Sequence, residues 1–111
     1  MEISWQEFET VELRVGTVVR ADEFPEARVP AYRLRVDFGP EVGVKSSSAR
    51  ITNLYDRAEL VGRQVIAVTN FPPKRIGPFV SEVLVTGFYR PDGAVVLAVP
   101  DGEVPNGTRL A

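Results

Sequence analysis

Apolar and polar positions alternate most cleanly at Tyr32–Phe38, where Tyr32, Leu34, Val36 and Phe38 fall on one side and Arg33, Arg35 and Asp37 on the other. A period of two predicts a half-buried β-strand, and Gly39-Pro40 ends it. An earlier strand is expected over Val11–Val19, with Val11, Leu13 and Val15 opposite Glu12 and Arg14. Gly16 interrupts that run, which predicts a bulge or sharp bend there. A third strand is expected over Val42–Ser48. A fourth covers Arg63–Thr69, whose Val65, Ile66, Ala67 and Val68 read as buried on both faces. A fifth covers Val80–Phe88, and Ala94–Val99 forms the closing hairpin after the Pro91-Asp92-Gly93 turn.

Two short helices punctuate this series. Ser4-Trp5-Gln6-Glu7 has the spacing of a capping box, in which Ser4 accepts from an orphan amide while Glu7 reaches back. Trp5 and Phe8, three apart, then share one helix face. Asp56 as N-cap, Glu59 three positions on and Gly62 as stop predict one or two turns before strand four. Phe24–Pro30 is a loop, because its two prolines deny ladder donors. Three strands, a helix and two further strands are the order of a five-stranded Greek-key barrel of the OB type. The chain is therefore expected to be one all-β domain over residues 1–111, with short helices at the N-terminus and between strands three and four and a C-terminal hairpin.

Composition narrows the chemistry. The 111 residues include no cysteine and no histidine, which excludes thiolate catalysis, cysteine-held metal and a serine–histidine–aspartate triad. No catalytic residues, metal or cofactor are expected, and a binding protein is favoured over an enzyme. The net charge of −2 is unlike that of a sequence-blind DNA binder, so any nucleic-acid contact must come from a local basic patch. Eleven of the thirteen basic residues are arginines, whose planar donor forks suit interfaces. The acidic start of the chain is unlike a signal peptide and no apolar run is long enough for a membrane span, so a cytoplasmic protein without membrane insertion is expected.

Gly39–Ser46 has three residues between its glycines and Val44 before Lys45, where a phosphate-binding P-loop has four and none; a hairpin turn is expected instead. The carboxylates of Asp101 and Glu103 have no base or electrophile beside them and read as turn residues. For Arg33 and Arg35 the expectation is a solvated strand face paired with Asp37, and for Arg14 a partner in Glu12. The segment Asn70–Glu82 is different. It crowds Phe71, Ile76 and Phe79 beside Lys74 and Arg75 on a loop stiffened by Pro72, Pro73 and Pro78. Prolines lower the cost of ordering a loop on binding, and this loop joins strands four and five, a ligand-binding position in OB folds.

Glu12-Leu13-Arg14-Val15-Gly16, together with Asn70, Pro73, Lys74, Gly77, Ser81 and Glu82, resembles the tRNA-binding OB domain found at the C-terminus of some methionyl-tRNA synthetases and in free-standing tRNA-binding proteins. Phe71-Pro72 stands where that family usually has Leu-Lys, and Val83-Leu84 where Gly-Met is common. These departures, with Pro25-Glu26-Ala27-Arg28, Pro30-Ala31-Tyr32 and Ser47-Ser48-Ala49, resemble the CsaA branch, whose members are homodimeric, export-related chaperones of unfolded preproteins. The resemblance implies unfolded or precursor polypeptides as partners, residual tRNA affinity, and the protein-export motor as a further partner.

The expected site is therefore Asn70, Phe71, Pro72, Lys74, Arg75, Ile76, Phe79, Ser81 and Glu82, with Arg14 at its rim. Phe71, Ile76 and Phe79 are expected to line an apolar pocket. A homodimer interface is expected at Ile3, Trp5, Phe8, Phe88 and Tyr89, large apolar groups outside the barrel strands. Structure-specific tRNA binding is the alternative function.

Overall fold

The computed structural model describes residues 1–111. In chain order the elements are α1 (Trp5–Glu9), β1 (Leu13–Glu23), β2 (Tyr32–Asp37), α2 (Gly39–Val42), β3 (Val44–Ala49), α3 (Arg57–Leu60) and β4 (Gln64–Val68). The chain continues through β5 (Lys74–Ile76), β6 (Phe79–Ser81), β7 (Leu84–Val85), β8 (Gly87–Tyr89) and β9 (Val95–Leu97). Strands β3-β2-β1-β4-β7 form one antiparallel sheet. It curls into a nearly closed barrel of the OB type, with β5–β6 and β8–β9 as separate hairpins. No helix is long and apolar enough to cross a membrane.

The long β1 makes the barrel possible by serving two neighbours. Its first half, Leu13–Thr17, pairs with β4, and its second half, Thr17–Glu23, pairs with β2. The register shifts between Val18 and Arg20, so the bulge lies at Val19 and not at the expected Gly16. Gly16 keeps the regular register with Val65 and is needed for space: a Cβ there would come within 2.6 Å of Val36 and 2.7 Å of the Phe38 ring. Those two side chains, with Val18, Leu34, Leu60 and Val65, are fully excluded from solvent and form the centre of the core.

The far end of the chain covers the free side of early β1. Val15 donates to Thr108 O at 2.9 Å, Gly107 donates to Val15 O at 2.7 Å, and Leu110 donates to Leu13 O at 2.9 Å. The barrel closes opposite, where Glu82 N–H donates to Ser46 O at 2.8 Å.

The capping box forms in full at Ser4/Glu7, and at Asp56/Glu59 the Glu59 carboxylate reaches back to accept from Asp56 N–H at 2.7 Å while Glu59 N–H donates to the Asp56 backbone carbonyl. The capping amide of Ser4 holds the Glu7 carboxyl below its ordinary pKa. Other expectations are corrected. Gly39–Val42 is a one-turn helix between β2 and β3 rather than a hairpin turn. Ile66 is only half-buried. The expected fifth strand breaks into pieces of three sheets, β6, β7 and β8, because the chain leaves one hairpin, touches β4 for two residues and enters another hairpin. Residues 70–79 are not a plain loop but carry β5 and the turn of the β5–β6 hairpin.

Candidate functional site

The loop after β4 is pinned at its root by Asn70. Its side-chain oxygen accepts from Glu12 N–H at 3.0 Å and its amide donates to Thr10 O at 2.7 Å. From that anchor the chain presents Phe71, Pro72 and Pro73 to solvent and enters β5. Gly77 has φ +58, the positive value needed at the first central position of a two-residue hairpin turn.

A cavity of about 600 Å³ opens between this segment and the chain leading from β6 to β7. Phe71, Pro72, Pro73, Lys74 and Arg75 form one wall. Ser81, Glu82, Val83 and Leu84 form the other. The volume suits a ligand group of side-chain size or larger. Phe71 is 53% exposed and Leu84 48%, so both offer apolar surface to an incoming group. Lys74 and Arg75 are exposed and take part in no ion pair, which leaves two unneutralised cations at the mouth.

The acidic residue of the cavity is already occupied. Glu82 Oε1 accepts from Ser46 N–H at 3.1 Å and Ser46 Oγ at 3.0 Å, while Lys45 Nζ lies 3.9 Å from Oε2. Ser81 Oγ accepts from Ser48 N–H at 3.1 Å. The Ser81-Glu82 pair thus stitches β3 to β6 where backbone pairing is incomplete. Removing the carboxylate leaves the N–H of buried Ser46 without a partner, while its Oγ keeps the Val80 carbonyl, and an unpaired buried donor costs about 1–3 kcal/mol. Glu82→Ala is therefore expected to lose stability of that size in urea unfolding, with Glu82→Gln recovering part of it.

The other expected site residues lie apart from the cavity wall. Phe79 is half-buried with its ring edge-on to Phe24, 5.4 Å between centroids, and Arg33 sits over the other ring at 5.7 Å from the Phe24 centroid. Ile76 is half-buried at the hairpin tip. Arg14 donates from Nε to Glu12 Oε1 at 2.6 Å and from Nη1 to Gly107 O at 3.0 Å, tying the C-terminal segment to β1. Arg33 and Arg35 make no pair with Asp37, whose carboxylate instead accepts from Gly39 N–H at 2.8 Å. Val83 and Leu84 fall within the fifth strand expected from sequence, and their only signal as cavity residues is an apolar pair directly after Ser81-Glu82.

The Arg14 hydrogen bond holds the Glu12 carboxyl below the ordinary glutamate value of 4.5, against a smaller opposing effect of burial. A depressed folded-state pKa stabilises fully above the unfolded value and less as pH falls through the folded one. Glu12→Gln is expected to lower stability at neutral pH, where the pair contributes fully, and to leave strongly acid pH little changed, so that the acid limb below about pH 4.5 flattens. An unchanged acid limb refutes the pairing.

The apolar groups expected at an interface are indeed uncovered within the chain. Trp5 is 83% exposed, Tyr89 82%, Phe88 69% and Ile3 57%, and α1 buries no residue.

Residues 13–109 match the family described as "Putative tRNA binding domain". The crystal structure of the chaperone CsaA from Bacillus anthracis str. Ames is 52% identical, with a TM-score of 0.94 and all of both chains covered. The CsaA chaperone protein from Picrophilus torridus is 46% identical, with a TM-score of 0.92 over 99% of this chain and 100% of the other. The methionine–tRNA ligase of Porphyromonas gingivalis is 30% identical over 98% of this chain, which spans only 16% of that enzyme.

Proposed function

The chain belongs to the tRNA-binding domain family and to its CsaA branch, and from that premise we propose a homodimeric chaperone that holds unfolded or export-bound polypeptides without catalysing a reaction. The observation that carries this reading is the cavity between residues 71–75 and 81–84. Its exposed Phe71, Leu84 and prolines accept apolar side chains, and Lys74 and Arg75 form a cationic rim. Asn70, Ser81 and Glu82 hold the walls in place, and Phe79 and Ile76 support the hairpin from behind. The protein works in the cytoplasm and passes its clients to the export motor.

Dimerisation is supported by Ile3, Trp5, Phe8, Phe88 and Tyr89, all exposed and apolar. A one-and-a-half-turn helix does not hold itself in water and needs a docking surface. Two-fold pairing buries both copies of such a patch at once. It also places two client sites on one particle, so that one extended chain gains avidity by engaging both.

Truncating a pocket aromatic in a binding site costs about 2 kcal/mol or more, so Phe71→Ala is expected to weaken binding of an unfolded polypeptide by more than tenfold while the fold stays intact. Wild-type affinity in that variant moves the site elsewhere. A second reading, tRNA binding, is favoured by the family match and the unpaired Lys74 and Arg75. About three to five phosphate contacts give a slope of log K against log salt of roughly −2 to −4. Parallel titrations of an unfolded polypeptide and of tRNA across salt concentrations separate the two: the proposal expects polypeptide affinity to survive at salt that abolishes tRNA affinity. The reverse result makes RNA the main ligand.

A further inference from the structure

The β5–β6 hairpin has one backbone edge that nothing covers. Ile76 and Phe79 flank its two-residue turn and are paired in register, as are Lys74 with Ser81 and Arg75 with Val80. Residues closing a two-residue turn exchange backbone hydrogen bonds, and bonded and non-bonded pairs alternate along an antiparallel ladder. Arg75 and Val80 are therefore the non-bonded pair, and their N–H and C=O groups point outward from the hairpin. On the β6 side the Val80 carbonyl is taken up by Ser46 Oγ at 2.7 Å. On the β5 side no backbone or side-chain group reaches Arg75.

We propose that an extended polypeptide adds to the outer edge of β5 as a third strand, pairing with the backbone of Arg75 while a neighbouring side chain enters the cavity. This rests on the reading that the cavity takes polypeptide, and adds how the client's backbone is held. An unpaired sheet edge is a template for a further strand, and strand addition supplies sequence-independent affinity while pockets select alternate side chains. Pro72 and Pro73 end the edge on one side and the Gly77-Pro78 turn on the other, so a single residue's donor and acceptor are available. In antiparallel placement both bonds go to one client residue. The matching client segment is extended, with an apolar side chain for the surface of Phe71 and Leu84 and an acidic one for Lys74 and Arg75, which have no acidic partner in the chain. Such a mode suits unfolded chains, whose backbones are free, and rejects folded proteins, whose strands are already paired.

The test is a backbone N-methyl scan of a short apolar-acidic peptide that binds the wild-type protein, read by fluorescence anisotropy. Strand addition predicts a loss of tenfold or more at the amide facing β5 and near-parent affinity when either neighbouring amide is methylated. An independent arm compares Arg75→Ala, which keeps the amide, with Arg75→Pro, which removes it at an edge position where proline is tolerated. Arg75→Pro, checked for native circular dichroism, is expected to bind at least tenfold more weakly than Arg75→Ala. Peptide binding that is indifferent to methyl position overturns strand addition and leaves the client reading standing. Binding of tRNA with no binding of any such peptide overturns both.

Discussion

Replacing Phe38 by alanine is expected to cost about 3–5 kcal/mol, the range for deleting a fully buried aromatic ring. Phe38 is 0% exposed and sits where β2 meets the α2 turn. Its ring lies over Gly16, which has no side chain to move into the space. Neighbouring Val36 is fixed by pairing on both sides of β2, so the cavity has little means of collapse. Against a typical total of about 5–15 kcal/mol for a domain, that loss removes a large share of the stability. Urea unfolding at a fixed protein concentration checks it, and a cost below about 1 kcal/mol contradicts the packing described. The reverse substitution fails for the same reason: any side chain at position 16 meets Val36 and Phe38 at under 3 Å.

Placing charge on the exposed apolar patches is expected to split the proposed dimer. The wild-type protein should scatter as about twice 12.2 kDa at low micromolar concentration. An obligate interface buries roughly 2,000 Å² or more in total, and its energy concentrates in a few aromatic anchors worth about 2–4 kcal/mol each. Trp5 and Phe88 are exposed aromatics of the required kind, and each occurs twice in a two-fold particle. Trp5→Asp combined with Phe88→Asp should therefore yield a folded protein of 12.2 kDa mass by light scattering. Because neither side chain packs into its own barrel, the fold should survive. A persistent dimer in that variant places the interface on another surface. A wild-type monomer removes the dimer itself.

How far the sequence anticipated this structure depended on whether a residue's role was set locally. β2 was legible because its two faces differ: Leu34, Val36 and Phe38 are buried and Arg35 is exposed, as the alternation requires. The capping boxes were legible because both partners lie three residues apart. The segment Val80–Phe88 was not. Its apolar string carries no signal for leaving one sheet and joining the next, and Ser81-Glu82 act through Ser46 and Ser48 on a strand more than thirty residues earlier. Arg14 illustrates the same limit at the site. Its local partner Glu12 was readable, but its contact with Gly107 joins the two ends of the chain. Phe79 belongs with Phe24 for a similar reason. What spacing did expose was the wall of the cavity from Phe71 to Arg75, because prolines, an aromatic ring and two cations are crowded into one short stretch.

In the proposed complex the client polypeptide sits at the cavity between residues 71–75 and 81–84. The most direct measurement is a titration of unlabelled unfolded polypeptide into the ¹⁵N-labelled protein, followed by amide chemical shifts. The perturbed amides are expected to cluster at Phe71, Lys74, Arg75 and Ser81–Leu84, with Arg75 among the largest, while the Arg33 and Arg35 face of β2 stays still. Saturable binding that leaves those amides unmoved and shifts others would contradict it.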